Sequence, residues 1–178
     1  TFNVPVRGSL ETYGPLYLRG VRPDWRPPRG LSGDKQGAVP RLMKGKRYLV
    51  TGSSRGIGRA IALRLRESGA LVAVHGARGK SADFDSIIKE LGNQAAGAYS
   101  GDLSDPKSAE KLFEQVIHDG PLHGLVNNAG VYLPMDFVKA TQAQFEATLY
   151  RTFAVNFESP LRLCRLAAIF FAEREGGK

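Results

Sequence analysis

Three glycines stand within eight residues in the stretch "TGSSRGIG", residues 51–58. The β-branched and aromatic run "RYLV" precedes them, and apolar residues at helical spacing follow. Glycines at such a turn leave main-chain N–H groups accessible, and the start of a helix attracts phosphate oxygens. We therefore predict a phosphate-binding loop. In it Gly52 makes the sharp turn, Gly56 leaves room for a pyrophosphate, and Gly58 lets the helix lie close to the sheet.

The spacing of these glycines narrows the choice of ligand. It reads T-G-x-x-x-G-x-G and lacks the G-K-[ST] ending of a nucleoside-triphosphatase loop, so ATP or GTP hydrolysis is not expected. A purely structural turn is the alternative. The strand before the loop and the amphipathic helix after it favour phosphate binding.

Strands and helices alternate from residue 47 onward. Strands are predicted at 47–52, 70–76, 95–102 and 122–130. Helices are predicted after the glycine loop, with Ile57, Ile61 and Leu65 facing inward, over Ser81–Leu91, after an Asp105 cap, and from Thr141 almost to the end of the chain. This order predicts an α/β fold, a doubly wound parallel sheet of Rossmann type, with ligands bound beyond the carboxyl ends of the strands.

The positive charge is concentrated before the first strand. Residues 1–47 hold 10 of the 25 Lys and Arg residues and 3 of the 17 Asp and Glu residues, which is +7 of the total net charge of +8. Residues 1–42 are also rich in proline and glycine, and we expect a basic leader that is disordered or not native, with Met43 as a natural start. Residues 43–178 are expected to form the folded domain. Nucleic-acid binding by Trp25 and Tyr17 in the leader is a less favoured alternative.

Four sequence signatures resemble those of the short-chain dehydrogenase/reductase family. They are "TGSSRGIG" at 51–58, "GDLSD" at 101–105, "NNAG" at 127–130 and "VNFESP" at 155–160, in the family's order and spacing. The similarity covers residues 45–178, and within the family the sequence resembles the branch that contains the 3-oxoacyl-carrier-protein reductases. It implies an oxidoreductase that interconverts a ketone and a secondary alcohol with a nicotinamide cofactor.

The resemblance also assigns roles to residues. It implies that the glycine loop binds the cofactor, that Asp102 hydrogen-bonds the adenine with Leu103 beside it, and that Asn156 is the active-site asparagine at a helix kink. The cofactor-binding residues implied are Gly52, Ser53, Ser54, Arg55, Gly56, Ile57, Gly58, Arg78, Asp102, Leu103, Asn127, Asn128, Ala129 and Gly130. Taken singly, Asp102, Asn127 and Asn128 could be ordinary turn residues. Pro160 supports the kink, because an interior proline removes a helical hydrogen bond.

The end of the second strand indicates which cofactor is preferred. A carboxylate there would bind the ribose 2′-OH of NAD, but the strand ends "VAVHGARGK". Arg55 and Arg78 could instead converge on a 2′-phosphate. We therefore predict NADP(H) rather than NAD.

The catalytic motif of the resembled family is missing from these 178 residues. No lysine follows a tyrosine by four positions, and Ser159 is a poor candidate for the family's serine because it is predicted to be helical. We therefore expect the cofactor-binding half of the enzyme, a sheet incomplete at the C-terminal end, and no turnover by this chain alone. The segment from Phe145 to Asn156 is about one helical turn longer than the family's usual pattern. A non-catalytic nucleotide-sensing or interaction module is the alternative function.

The remaining features predict a cytoplasmic protein with a small-molecule substrate. No apolar run has the ~20 residues that a membrane-spanning helix needs. The single cysteine, Cys164, is predicted to be a packed thiol in a reducing compartment. The histidines His75, His118 and His123 are predicted to be surface or packing residues, with no metal site. Relatives imply a homo-oligomer for the full-length protein, and neither nucleic acid nor membrane is expected as a partner.

Overall fold

The computed structural model describes residues 43–79 and 81–174. The predicted leader, residues 1–42, lies outside the described residues. Four strands are present in the described part: β1 (Arg47–Val50), β2 (Leu71–Gly76), β3 (Ala95–Ser100) and β4 (Gly124–Val126). The helices are α1 (Gly56–Glu67), α2 (Ala82–Leu91), α3 (Pro106–His118), α4 (Gln142–Phe153) and α5 (Ser159–Ala172), with a π-helical segment (Ala154–Glu158) between the last two.

The strands form one parallel sheet in the order β3-β2-β1-β4. The chain moves outward from β1 to β3 and then crosses to the other side of β1, so the direction of winding reverses between β1 and β4. In register, Leu49 of β1 lies between Ala73 of β2 and Leu125 of β4. The predicted doubly wound α/β fold is confirmed, and its switch point lies where the loops after β1 and β4 meet.

Adjacent residues of the strands face two separate cores. Val50, Val72 and Val74 pack with buried residues of α1 and α2. Leu49 and Ala73 face the opposite side and pack against α3 and α5. The nearly continuous apolar sequence of β2 is therefore explained, because parallel strands covered on both faces bury every side chain.

Side-chain caps fix where three of the helices begin. Ser81 accepts the N–H of Phe84 at the start of α2, and Asp105 accepts the N–H of Lys107 at the start of α3. Thr141 and Gln144 form a reciprocal capping box at the start of α4. All three caps are predicted from the sequence and confirmed by the structure.

Several local predictions are wrong. Ile57 was expected to face inward, yet its side chain is 76% exposed, because it lies in the first turn of α1 and lines an open cleft. Cys164 was expected to be packed but is exposed on α5. The fourth strand spans only three residues, since the chain leaves the sheet at Asn127 to reach α5 and the glycine loop.

The predicted long helix is continuous from Gln142 to Ala172, and its predicted kink corresponds to the π-helical segment around Asn156. Leu163 is buried in the core, whereas Leu149, Phe153 and Leu161 are exposed on the outer side. No helix within the described ranges is both long and apolar enough to cross a bilayer.

A buried arginine joins the amino-terminal end of the sheet to α3. The Arg47 side chain donates to the main-chain oxygens of Val116, Gly120 and Ala96 and to the Tyr99 hydroxyl. The Tyr99 hydroxyl in turn donates to Asp119 at 2.8 Å. Burial, with the bond to Asp119 as a second cause, raises the pKa of Tyr99 to about 12, so this hydroxyl stays protonated at neutral pH. The guanidinium thus satisfies carbonyls at the C-terminal end of α3, where a cation is favoured.

Replacing this arginine with an uncharged side chain is expected to destabilise the fold. Arg47→Met keeps the aliphatic stem but leaves buried carbonyls without their donor, which should lower the free energy of unfolding by about 2–4 kcal/mol. Arg47→Lys retains the charge but reaches fewer acceptors and should lose less. Urea unfolding followed by circular dichroism measures both variants. Equal stability of Arg47→Met and wild type would contradict the structural role.

Candidate nucleotide-binding site

A cleft of about 510 Å³ lies at the switch point of the sheet. Its floor is the turn after β1 and the start of α1, and its sides come from the ends of β2 and β3 and from the segment after β4. Ten of the predicted cofactor-binding residues line it: Gly52, Ser54, Arg55, Gly56, Ile57, Asp102, Leu103, Asn128, Ala129 and Gly130. With Arg151 and Val155, which also line the cleft, five segments that are distant in sequence therefore meet at one place.

The glycine loop is fastened to the segment after β4 by Thr51 and Asn128. The Thr51 hydroxyl oxygen accepts the main-chain N–H groups of Asn128 and Ala129, each at 3.0 Å. The Asn128 amide nitrogen donates to the main-chain oxygens of Thr51 at 2.9 Å and Gly52 at 3.1 Å. These four bonds use the polar groups beside β1, so the turn cannot move relative to β4 without breaking them.

Two of the predicted glycines are required by close approach. Gly52 has φ +64°, and a Cβ there would lie 2.9 Å from the Cα of Ala129. A side chain at Gly58 would overlap both the Gly52 carbonyl and the Asn128 side chain. Gly58 therefore lets the start of α1 pack onto the loop, as the sequence predicts.

Ser53 and His75 fasten the loop to β2. The Ser53 N–H donates to the main-chain oxygen of His75 at 2.9 Å, and the Ser53 hydroxyl accepts the His75 N–H at 3.0 Å. Both side chains are buried. Ser53 was predicted to bind the cofactor, but it does not line the cleft. Its hydroxyl is used within the protein.

The two arginines proposed for a 2′-phosphate differ in position. Arg55 lies in the glycine loop and lines the cleft. After β2, Ala77 is the last residue that lines the cleft. Arg78 follows it, is exposed, and does not line the cleft. Of the two arginines, Arg55 therefore lines the cleft and Arg78 does not.

An ion pair borders the cleft between β3 and α4. Asp102 accepts the Ser104 N–H at 2.9 Å, and its other oxygen lies 3.1 Å from Arg151. The bonds from Ser104, followed by the charge of Arg151, hold the pKa of Asp102 below its ordinary value. Asp102 is therefore an ionised acceptor at neutral pH. Arg151 is a cleft residue that the sequence analysis missed, since an exposed arginine in a helix carries no recognisable signal.

Leu103 and Asn127 connect the cleft to α5. Leu103 is buried, and its main-chain oxygen accepts the Ser159 hydroxyl at 2.7 Å. Asn127 turns away from the cleft and donates to the Pro160 oxygen at 3.3 Å and the Cys164 sulfur at 3.2 Å. The side chains of the adjacent residues Asn127 and Asn128 thus bond different elements: Asn127 bonds α5, and Asn128 bonds the glycine loop.

Asn156 lies at the centre of the π-helical segment and pairs with the main chain of Val131. Its Oδ1 accepts the Val131 N–H, and its Nδ2 donates to the Val131 oxygen, both at 2.8 Å. Val131 lines the cleft directly after Gly130. The amide of Asn156 therefore lies against the segment that follows β4.

An apolar groove of about 330 Å³ adjoins the cleft at Val131. Its walls are residues 131–135 with Phe137 on one side and, on the other, Asn156 and the α4 residues Phe145, Thr148, Leu149 and Thr152. None of these lining side chains carries a charge. The groove can therefore receive an uncharged, largely apolar group next to Asn156.

The remaining predicted site residues are Ser53, Gly58, Arg78, Asn127 and Asn156, which surround the cleft without lining it. His75, Val131, Arg151 and Val155 line it without having been predicted. In the part of the chain that the structure covers, no group of three or more His, Cys, Asp or Glu side chains is placed to hold a metal ion.

Comparisons with known proteins agree with this geometry. The family described as "short chain dehydrogenase" matches residues 46–178. L-xylulose reductase of Caenorhabditis elegans is 38% identical over 132 residues, which are 73% of this chain and 49% of that protein. The chain spans about half the length of the curated relatives it matches.

Two solved structures extend the comparison. The blue fluorescent protein from a metagenomic library, in complex with NADPH, is 32% identical with a TM-score of 0.63, over 71% of this chain and 51% of that one. The 3-oxoacyl-(acyl-carrier-protein) reductase of Agrobacterium tumefaciens, with NADP bound, is 28% identical with a TM-score of 0.65, over 82% of this chain and 54% of that one.

The bonds to the Thr51 hydroxyl give a testable prediction. Thr51→Val has nearly the same shape but leaves two part-buried N–H groups without an acceptor, so it should lose about 1–3 kcal/mol of unfolding free energy. Thr51→Ser retains the oxygen and should lose less. Both are measured by urea denaturation, and a Thr51→Val variant as stable as Thr51→Ser would show that the hydroxyl does not hold the loop.

Proposed function

Because the chain belongs to the short-chain dehydrogenase/reductase family, we propose that its cleft binds NADP(H) and that the protein interconverts a ketone and a secondary alcohol. The observation that carries the proposal is the glycine loop. It is rigidly fastened to β2 and β4 and opens, at the start of the twelve-residue helix α1, into a cleft that also contains Asp102 and residues 128–130. Main-chain N–H groups and the partial positive charge of a helix start suit a pyrophosphate.

The chemistry around the cleft supports roles for individual residues. Ionised Asp102 is an acceptor suited to the adenine amino group, and buried Leu103 supplies an apolar contact beside it. Asn128, Ala129 and Gly130 provide the wall beside the ribose. Ser53 and Gly58 support the loop from behind. Asn127 does not contact the cofactor in this proposal, and supports the site indirectly by bonding α5.

NADP(H) is favoured over NAD(H) by charge. The residues after β2 are Ala77 and Arg78, so no carboxylate stands where it would repel a 2′-phosphate. Arg55 lines the cleft and can donate bidentate, charge-assisted hydrogen bonds to that phosphate. Arg78 is exposed nearby and adds a weaker, longer-range attraction. Two structural relatives were solved with NADPH or NADP bound.

The proposed reaction places the substrate beside Asn156. A bound nicotinamide supplies or accepts the hydride. Asn156 holds Val131, and this contact fixes the boundary between the cleft and the apolar groove. The uncharged lining of the groove suits an apolar part of the carbonyl or alcohol substrate. Asn156 therefore positions the wall against which that substrate lies.

The cofactor preference is tested by titrating the 178-residue chain with NADPH and NADH. We expect tighter binding of NADPH. Arg55→Ala should weaken NADPH binding about tenfold, since a hydrogen bond between charged groups contributes roughly 1.5–3 kcal/mol, and should change NADH binding little. Arg78→Ala should have a smaller effect. Arg64→Ala is the matched control, because Arg64 pairs with Glu67 on the exposed side of α1.

Equal affinities for the two nucleotides, or an Arg55→Ala variant that behaves like Arg64→Ala, would contradict the proposed role of Arg55. Absence of saturable binding to either nucleotide by the folded chain would contradict the proposed function itself. Since Tyr-x-x-x-Lys does not occur in the 178 residues, we expect no NADPH oxidation by this chain with ketone substrates. Measurable turnover would show that other residues supply the proton.

A further inference from the structure

His75 is a buried imidazole at the centre of the proposed nucleotide site. It lies near the end of β2, is 1% exposed, and lines the cleft with one edge. Its main chain exchanges two hydrogen bonds with Ser53 of the glycine loop. The ring reaches both the first glycine of the loop and the segment after β3, so it joins two walls of the cleft.

The ring contacts define one tautomer. Nδ1 lies 3.3 Å from the main-chain nitrogen of Gly52, and Nε2 lies 3.1 Å from the main-chain oxygen of Gly101. An amide N–H only donates and a carbonyl oxygen only accepts, so Nδ1 must be unprotonated and Nε2 must carry the hydrogen. A second proton would place an N–H on Nδ1 directly against the Gly52 N–H. The geometry therefore requires a neutral ring.

The surroundings also disfavour the charged ring. Burial lowers the pKa of His75, and only the bond to Gly101 acts in the opposite direction. The charged groups that line the same cleft are Arg55, Asp102 and Arg151. Both imidazole nitrogens bond main-chain atoms, of Gly52 and Gly101, whereas Asp102 accepts from Ser104 and Arg151. Arg78, after β2, adds a further positive charge.

We propose that neutral His75 is a positioning residue for nucleotide binding, which holds the Gly52 N–H in place while Asn128 holds the Gly52 carbonyl. The two main-chain polar groups of the turn are then fixed from opposite sides. Protonation of His75 would release one of them and tilt the loop that offers N–H groups to the pyrophosphate. The inference rests on the proposed nucleotide binding and adds a proton dependence to it.

The direction of the pH effect follows from the lowered pKa. Above the ordinary histidine value of about 6.5, the ring is neutral in folded and unfolded chains alike and its contribution is complete. As the pH falls below that value, the unfolded chain takes up the proton first, so stability declines until the folded-state pKa is passed. Nucleotide affinity depends on the folded chain, so it should weaken at lower pH than stability does, as the pH approaches and passes the folded-state pKa of His75.

The test compares substitutions that retain different parts of the ring. His75→Asn can place its side-chain oxygen near Nδ1, keeping an acceptor for Gly52 without a titrating group. His75→Leu keeps bulk and removes both ring bonds. Calorimetric titration with NADP⁺ and NAD⁺ is run from about pH 5 to pH 8, with thermal unfolding of each variant as a check of folding. Since the 2′-phosphate titrates near pH 6, NAD⁺ separates its effect from that of His75.

For wild type we expect affinity for both nucleotides to fall several-fold more than it does for His75→Asn once the pH is low enough to protonate the ring of the folded chain. His75→Leu should bind about five- to tenfold more weakly than wild type at about pH 7 to 8, where the wild-type ring is neutral, as expected for the loss of one well-placed hydrogen bond to Gly52. Equal pH slopes in wild type and His75→Asn, or an unchanged affinity in His75→Leu, would overturn the inference while leaving the proposed function intact.

A direct measurement on the wild-type chain removes any dependence on variants that fail to fold. In ¹⁵N-labelled protein, the His75 ring should show an unprotonated Nδ1 and a protonated Nε2 at neutral pH. The opposite tautomer, or a doubly protonated ring, would overturn the inference. If wild type binds neither nucleotide at any pH, the proposed function has failed and the inference fails with it.

Discussion

The site depends on holding one turn of backbone still while leaving its outward N–H groups accessible. Gly52 turns with a positive φ, and each of its own polar groups is held by a different side chain, the N–H by His75 and the carbonyl by Asn128. Thr51 and Ser53 on either side bond to the segments after β4 and in β2. A loop with its internal hydrogen bonds satisfied in this way does not have to be ordered when an anion arrives, and that saves conformational entropy.

The two ends of the sheet are stabilised by different means. At the carboxyl ends, neutral groups hold the loops and the charged groups Arg55, Asp102 and Arg151 lie at the edge of the cleft. At the amino ends, the buried cation Arg47 collects carbonyls from β3 and from the end of α3. The cleft end thus leaves Arg55 exposed and pairs Asp102 with Arg151, whereas the opposite end uses its buried cation to bond main-chain oxygens.

Much of this architecture could be predicted from the sequence because it depends on local rules. Caps at Ser81, Asp105 and Thr141 and the alternation of strand and helix patterns indicate the fold directly. The burial of Ile57 was predicted wrongly because helical periodicity indicates on which face of a helix a residue lies, but not that the first turn of α1 borders an open cleft. The different roles of Asn127 and Asn128 could not be predicted, since their side chains point in opposite directions only because the backbone after β4 is extended. The contacts of His75 and Arg47 were missed because most of their partners are main-chain atoms 23 to 73 residues away, which no local pattern records.

The use of main-chain partners also determines which positions of the protein can accept substitutions during evolution. Arg47, His75, Asn128 and Asn156 each contact carbonyls or amides of other segments, and Arg47 bonds one side chain as well, the Tyr99 hydroxyl. The receiving positions, among them Ala96 and Val131, can therefore exchange their residue types over evolutionary time without losing the contact, provided that the backbone path is kept. Compensating pairs of mutations should accordingly be rare at these contacts. The residue type should vary at the positions whose main chain accepts or donates the bond, and should vary little at Arg47, His75, Asn128 and Asn156.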